Sequence, residues 1–228
     1  MKAIIFDLFE TLITEWGRPK ITSQEIADIL DIDHQLFRKE WQNLQSDFYL
    51  GKLSATTIAY QIILEKLNIR RDKKLLNEIS KKRIEWKNKC FEIIEPKIIE
   101  MLSFIKENGY KIGLISNCSK EEIAGLQNSV LYQYLDAVVL SCNVGLVKPD
   151  RKTYEYCLNI LNEPASNCFF VGDGGSDELN GAKNVGMIPI KALWFIKQYV
   201  NELDIDKAFP SFLEPFELLE YINNYEIK

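Results

Sequence analysis

The sequence contains almost no histidine: His34 is the only one among 228 residues. It lies just before a helical pattern, where a surface or capping role is expected. A Ser/His/Asp or Cys/His mechanism would depend entirely on this one imidazole, and no candidate nucleophile lies beside it in the sequence. The sequence therefore disfavours hydrolytic mechanisms that need a histidine base.

Cysteine pairs, long apolar runs and excess positive charge are also lacking. The five cysteines are odd in number and widely spaced, which predicts reduced thiols and neither a zinc site nor a redox motif. No segment resembles a signal peptide or a membrane span, so we expect a cytoplasmic location. The formal net charge of -5 gives no electrostatic reason to expect nucleic acid or an anionic membrane surface as a partner.

What the sequence does have is a short apolar run near its start that ends on an acid. Residues 3–6 are apolar at every position, as expected of a strand buried on both faces of a parallel sheet, and Asp7 follows directly. In open α/β sheets, ligands bind at the carboxyl ends of the strands. Asp7 is therefore our candidate nucleophile.

A long helical segment comes next. Residues from about 22 to 91 follow a helical period without a convincing strand, and Asp33, Ser54 and Asp72 are predicted to cap three of the helices. This pattern predicts a separate small helical bundle. Specificity is expected to reside there, with residues 15–18 and 50–52 as segments that could face a site.

From residue 95 onward, helical and strand-like patterns alternate. Predicted strands cover residues 111–116, 137–141, 168–172 and 187–191, and predicted helices begin at Ser119 and cover residues 154–161, 178–184 and 216–222. Strands that alternate with helices imply βαβ units and a parallel sheet. The first strand must pair with these later strands to bury both of its faces, so the helical segment is an insertion in an α/β protein.

Polar residues lie at the ends of two of the later strands and after the apolar run 144–147. They would bring a hydroxyl, an amide, a lysine and a group of acids to the sheet edge that carries Asp7: Ser116, Asn117, Lys148, Asp173, Asp177 and Glu178. Acids grouped around Asp7 would repel one another unless a cation lay between them, and Mg²⁺ favours a few carboxylates with waters and phosphate. A phosphoryl group under attack needs its charge neutralised, which Mg²⁺ and Lys148 can provide.

Four motifs occur in the order found in the haloacid dehalogenase (HAD) superfamily, which the sequence resembles: Asp7-x-x-x-Thr11, Ser116-Asn117, Lys148-Pro149 and Gly172-Asp173. The resemblance covers essentially the whole chain. It implies a Rossmann-like parallel-sheet core formed by residues 1–13 and 95–228, with an inserted all-α cap formed by residues 14–94. It also implies a hydrolase whose substrate is a small phosphorylated metabolite.

The resemblance assigns roles to the residues that match these motifs. Asp7 would be the nucleophile that forms an aspartyl intermediate, and Lys148 would orient it and neutralise charge. Thr11, Ser116 and Asn117 would contact the substrate, with Ser116 binding the phosphoryl oxygens.

A Mg²⁺ site is implied in the same way. Asp7, Asp173 and the backbone carbonyl of Phe9 would hold the ion, together with a second acid from the last loop. Two residues compete for that position, because Glu178 matches the commoner spacing of the family and Asp177 a shorter variant.

Phe9 is where the sequence departs from the family pattern. Phosphatases of the superfamily usually carry a second Asp two residues after the nucleophile, which protonates the leaving group and then activates water. Phenylalanine can do neither. Glu10 is not expected to replace it, because adjacent side chains of an extended segment point to opposite sides.

Three functions are compatible with Phe9. The first, which we favour because of the acids, is a Mg²⁺-dependent phosphatase that works without the usual acid. The second is a 2-haloacid dehalogenase, whose family pattern has an aromatic residue at this position and whose halide leaves without a proton. The third is a catalytically weak protein of the same fold that binds a phosphorylated metabolite or a partner.

Overall fold

The computed structural model describes residues 2–18, 20–196 and 208–225. Residues 1, 197–207 and 226–228 of the predicted core, and residue 19 of the predicted insertion, lie outside the described residues. In the described part of the chain, no helix is both long enough and apolar enough to cross a lipid bilayer.

Six strands form one parallel sheet in the order β3-β2-β1-β4-β5-β6. The strands are β1 (Ala3–Phe6), β2 (Lys111–Ser116), β3 (Ala137–Leu140), β4 (Cys168–Gly172), β5 (Ile188–Ala192) and β6 (Ser211–Phe212). The predicted α/β class with a parallel sheet is confirmed. The predicted bounds of β1, β2 and β4 are those observed, and the bounds of β3 and β5 differ by one residue.

Nine α-helices accompany the sheet in the described ranges. They are α1 (Ser23–Leu30), α2 (His34–Tyr49), α3 (Thr56–Lys66), α4 (Lys73–Glu92), α5 (Pro96–Glu107), α6 (Ser141–Val144), α7 (Arg151–Leu161), α8 (Glu178–Val185) and α9 (Pro215–Asn223). The first four follow one another between β1 and α5. They form the helical insertion, the name used below for residues 14–94.

β1 lies in the middle of the sheet because its sequence is apolar on both faces. Ile4 and Phe6 belong to the core cluster that contains α5 and α9, whereas Ala3 and Ile5 belong to the cluster that contains α7 and α8. All four side chains are completely buried, as the period of two along a strand requires when both faces are covered. The N–H of Asp7 still donates to the carbonyl of Val171 on β4, at 2.9 Å, so the acid is held one residue beyond the strand.

The helical insertion has its own apolar core, a cluster that includes Leu30, Phe37, Tyr60 and Ile79. Asp33 accepts a hydrogen bond from the N–H of Leu36, so it caps α2 as predicted.

Of the predicted caps of α3 and α4, one is present and the other is not. Asp72 accepts from the N–H of Lys74, which confirms the predicted cap of α4. Ser54 is not a cap: α3 begins at Thr56, after Ala55 in an extended conformation, and the side chain of Ala55 cannot accept a capping hydrogen bond.

The chain after β2 is not the helix predicted from Ser119. It forms turns and two short 3₁₀ segments, Leu126–Asn128 and Tyr132–Tyr134. The loop packs tightly against α4, since a Cβ atom at Gly125 would lie 2.9 Å from atoms of Asn88 and Phe91. This long-range packing outweighs the local helical pattern, and it brings the loop next to the helical insertion.

The insertion and the sheet also meet at the turn after α2. Gly51 has φ +72°, and a Cβ atom there would lie 2.2 Å from the carbonyl oxygen of Cys142 on α6. The N–H of Thr56 donates to Glu121 in the loop after β2, at 3.0 Å. The start of α3 is therefore held against the sheet edge that carries Asp7.

Candidate active site

Lys148 and Asp7 form a buried ion pair at the carboxyl end of the sheet. The Nζ atom of Lys148 contacts Oδ1 of Asp7 and lies 2.5 Å from Oε2 of Glu178. All three residues are buried. Lys148 is held from behind by Asn117, whose side chain accepts from the N–H of Lys148 at 2.8 Å and donates to its carbonyl at 2.9 Å.

Three carboxylates gather at this edge. Asp7, Asp173 and Glu178 each offer an oxygen atom, and these atoms lie within 4.8 Å of one another. Glu178 is fitted closely: its Oε1 accepts from the N–H of Gly174, and a Cβ atom at Gly172 would lie 2.0 Å from the same oxygen. A side chain at Gly172 would displace Glu178, which explains why the strand ends on glycine.

Asp177 lies outside this group of acids. Its backbone has φ +52°, and its exposed carboxylate accepts from the side chain of Asn180 at 2.7 Å. Glu178, the next residue, begins α8 and turns inward, where its backbone carbonyl accepts from the hydroxyl of Tyr154 at 2.8 Å. The two competing acids thus occupy different environments.

Burial and like charge act together on these acids. Burial, followed by the charge of Asp7, raises the pKa of Glu178 from its ordinary 4.5 to about 8, against the opposing effect of Lys148. The pKa of Asp173 is raised for the same two reasons. Burial by itself would lower the pKa of Lys148, but the charges of Asp7 and Glu178 outweigh it and raise the pKa. Three acids therefore lie around one ammonium group, which contacts two of them, and this deficit of positive charge suits a divalent cation with oxygen ligands such as Mg²⁺.

Two buried hydroxyls in the matched motifs have no hydrogen-bond partner. These are Oγ of Ser116, the last residue of β2, and Oγ1 of Thr11, in the loop after β1. Buried hydroxyls without a partner are unfavourable, so such groups are expected where a ligand supplies the missing acceptor.

Phe9 and Glu10 both line a cavity of about 260 Å³ that also contains Asp7. The prediction that Glu10 points away from Asp7 is wrong. The chain leaves the extended conformation after Phe6, and Glu10 has φ +57°, so the alternation expected of a strand does not apply. Its carboxylate accepts from the hydroxyl of Thr14 and the N–H of Glu15. Burial is the main reason that the pKa of Glu10 is raised to about 7.

The remaining lining of this cavity comes largely from the helical insertion and the loop packed against it. Tyr49 from α2, Lys87 from α4, Glu15 and Glu122 all lie in the wall. Lys87 is 2.6 Å from Oε1 of Glu15 and 3.1 Å from Oε1 of Glu122, and its Nζ atom lies 5.4 Å from the centre of the Phe9 ring. The insertion therefore covers the candidate nucleophile.

The arrangement of these motifs is matched by a family model. The model of the haloacid dehalogenase-like hydrolases matches residues 1–186. The chain belongs to this family. The match includes β1, the helical insertion and the segments that contain Ser116, Lys148 and Asp173, so the predicted resemblance is confirmed and the protein is a HAD-like hydrolase.

Relatives and solved structures divide between two activities. A curated relative from Methanothermobacter thermautotrophicus, named glyceraldehyde 3-phosphate phosphatase, is 26% identical over 194 residues, which cover 83% of this chain and 84% of the relative. A HAD phosphatase structure from Thermococcus onnurineus has a TM-score of 0.66 at 22% identity, covering 97% and 98% of the two chains. A 2-haloacid dehalogenase structure from Pseudomonas syringae also has a TM-score of 0.66, at 18% identity, covering 99% and 100%. The structural likeness therefore establishes the HAD fold and does not separate the two activities.

The sequence analysis did not identify several residues that line the cavity above Asp7. Lys87 of α4 lines the cavity and pairs with Glu15 and Glu122, and no motif in the sequence marks it. Tyr49 adjoins residues 50–52, so the prediction that this segment could face the site came within one residue. Within residues 15–18, Glu15 lines the cavity, whereas the Trp16 side chain is 46% exposed.

Proposed function

We propose that the protein is a Mg²⁺-dependent phosphatase that acts on a small phosphorylated metabolite through an aspartyl-phosphate at Asp7. The observation that carries the proposal is the group of three carboxylates, Asp7, Asp173 and Glu178, around a single ammonium group. A dehalogenation site has no use for these additional carboxylates, whereas a phosphatase uses them to bind Mg²⁺.

In this proposal Asp7, Asp173, Glu178 and the backbone carbonyl of Phe9 would hold the ion. When bound, Mg²⁺ supplies the positive charge that a phosphoryl group needs beside a carboxylate nucleophile. Glu178 is preferred to Asp177 because it lies in the group of acids, whereas Asp177 is exposed and bonded to Asn180.

The other site residues would position the nucleophile and bind the phosphoryl group. Lys148 fixes one oxygen of Asp7 and leaves the other free for attack, since the ammonium group contacts Oδ1 only. Asp7 then forms a bond to phosphorus as the bond to the leaving oxygen breaks, and that oxygen takes its proton from water, because Phe9 cannot supply one. Ser116 and Thr11 would donate their unpaired hydroxyls to phosphoryl oxygens, and Asn117 keeps Lys148 in position. Water finally attacks phosphorus and releases Asp7.

The names of relatives and the size of the cavity support the same choice. A relative that covers 83% of this chain is named a phosphatase of a small sugar phosphate. The cavity of about 260 Å³ is below the range typical of drug-sized ligands, which favours a small metabolite. Residues 14–94 would act as the cap of a core formed by residues 1–13 and 95–228. We also propose a cytoplasmic location, which the five buried, unbridged thiols support.

One observation favours a second candidate function. Phe9 occupies the position of the usual acid and lines the cavity, and the family pattern of 2-haloacid dehalogenases has an aromatic residue there. Halide leaves without a proton, so such an enzyme loses nothing at this position. The same ring is compatible with a weakly catalytic protein that only binds a phosphorylated ligand.

The test compares phosphate release from an aryl phosphate, with Mg²⁺ and with EDTA, with chloride release from a 2-chloro acid. We expect phosphate release that depends on Mg²⁺, no chloride release, and loss of activity in the control variant Asp7→Asn. Metal-independent chloride release without phosphate release would establish the dehalogenase instead. If neither phosphate nor chloride is released and Asp7→Asn leaves ligand binding unchanged, the protein is the catalytically weak one that only binds a phosphorylated ligand.

A further inference from the structure

The cavity above Asp7 has a second part that the proposed chemistry does not use. If the phosphoryl group lies among Asp7, Ser116 and Lys148, the rest of the substrate must contact the remaining wall. That wall includes Glu15, Tyr49, Lys87 and Glu122. We call these four residues the leaving-group wall.

Charge in the leaving-group wall is already balanced within the protein. The Nζ atom of Lys87 is paired with Glu15 at 2.6 Å and with Glu122 at 3.1 Å. Glu122 is also 3.1 Å from Arg83, so both of its neighbours are cations of α4. The Lys87 and Glu122 side chains are only 12% and 14% exposed, which strengthens these pairs relative to pairs in water.

No cation in the described lining is left for a second anionic group. The lysines that line the cavity are Lys87 and Lys148, and each contacts two carboxylates. An anion on the leaving group would either displace Glu15 or Glu122 from Lys87 or take the third N–H of its ammonium group. Either way, three anions would face the two cations Lys87 and Arg83, which is unfavourable in a poorly solvated site.

Hydroxyl groups fit the same wall well. The Tyr49 hydroxyl oxygen accepts from the side chain of Gln45 at 2.8 Å, so its own proton is available to a substrate oxygen. Burial, followed by the charge of Glu122, raises the pKa of Tyr49 and keeps it a donor. The carboxylates of Glu15 and Glu122 can accept from substrate hydroxyls without leaving Lys87, because each oxygen has more than one lone pair.

We propose that the leaving-group wall selects phosphate monoesters of small, uncharged, hydroxyl-bearing molecules and rejects those whose leaving group is itself anionic. The inference rests on the proposed phosphatase function and makes its substrate class specific. Glu15 and Glu122 are then specificity-determining residues, acting through their hold on Lys87.

The test uses two substrates of equal carbon number, sn-glycerol 3-phosphate and 3-phosphoglycerate, which differ by the carboxylate of the leaving group. With Mg²⁺ present, we expect kcat/KM for glycerol phosphate to exceed that for phosphoglycerate at least tenfold. A ratio of three or less overturns the inference. An aryl phosphate serves as the reference substrate. If it does not react, the result counts against the proposed phosphatase function. The selectivity is then decided by the binding measurement described next.

Binding is measured by calorimetry on the Asp7→Asn variant, with the same two compounds as probes. Here too we expect at least tenfold tighter binding of glycerol phosphate, and equal or reversed affinities overturn the inference even if no variant is active.

Glu15→Gln is the decisive substitution, because it frees part of the Lys87 charge. It should lower the selectivity ratio at least fivefold, mainly through a lower KM for phosphoglycerate. The matched control is Glu155→Gln, which removes a carboxylate from an exposed ion pair on α7. An unchanged ratio in Glu15→Gln, or an equal change in Glu155→Gln, would show that Lys87 is not the determinant.

Discussion

The ammonium group of Lys148 is shared between Asp7, which directly follows β1, and Glu178, which begins α8 after the neighbouring strand β4. The contact joins the candidate nucleophile to the start of α8, which follows the loop that begins at Asp173. Any change in one of these carboxylates is therefore felt by the other through a lysine that is almost completely buried.

Asp7→Asn should abolish phosphate release, with a loss of more than about 1000-fold in kcat, because an amide cannot form the aspartyl-phosphate. The variant keeps the size of the side chain and a hydrogen bond to Lys148. Thermal unfolding followed by circular dichroism checks that the fold is retained. Activity within tenfold of the wild-type value would mean that another group is the nucleophile.

The metal site can be tested without an activity assay. Saturating Mg²⁺ should raise the melting temperature, since an ion at 100 times its dissociation constant adds about 2.7 kcal/mol to the free energy of unfolding. Glu178→Gln and Asp173→Asn should remove most of this rise. Asp177→Asn is the matched control and should keep it, because its carboxylate contacts Asn180 outside the group of acids. If Asp177→Asn removed the rise in melting temperature and Glu178→Gln kept it, the second acid of the metal site would be Asp177.

Phe9→Asp should raise phosphatase turnover at least about tenfold, because it restores a group that can protonate the leaving group and activate water. Phe9→Asn is the control for size and polarity, and it should not raise the rate. If Phe9→Asp is no faster than the wild-type protein, proton transfer is supplied by another group, and Glu10 in the same cavity becomes the residue to test.

Glu122→Gln should destabilise the protein in a pH-dependent way. Burial opposes ionisation of Glu122, but Lys87 and Arg83 outweigh it and lower its pKa from the ordinary 4.5 to about 2. Since the folded state binds this proton less tightly than the unfolded chain does, the stabilisation is complete above pH 4.5 and is lost as the pH falls towards 2. We expect a loss of about 3 kcal/mol at pH 7 from this shift.

Urea denaturation of the wild-type protein and Glu122→Gln at pH 7 and pH 3 measures this loss. The two proteins should differ less at the lower pH. A difference that does not change with pH would show that Glu122 contributes packing and not charge.

Where the sequence prediction and the structure agree, the local sequence pattern and the tertiary environment favour the same secondary structure. β1, β2 and β4 are apolar runs that only a sheet covered on both faces can bury, so their bounds are visible in the sequence. Asp7, Ser116, Lys148 and Asp173 follow such strands or lie in loops at the same edge, and the parallel direction of the strands brings them together.

Where they disagree, the deciding contact is remote in sequence. The loop after β2 loses its helical pattern because Gly125 packs against Asn88 and Phe91 of α4, residues more than thirty positions earlier. Glu10 enters the cavity because of one positive φ angle, which alternation along a strand cannot predict. Lys87 reaches the site only when α4 is docked against Glu15 and Glu122.

The close approach of Gly51 to Cys142 has a consequence for how tightly the cavity can be covered. With no side chain at this position, the distance between the insertion and the sheet is set by backbone against backbone. Any larger residue would act as a spacer, and its effect would be greatest on Tyr49, two residues earlier. Water would then enter beside Asp7 although no group that performs chemistry had been altered, so the shielding of this site depends on a residue that contributes no functional group to it.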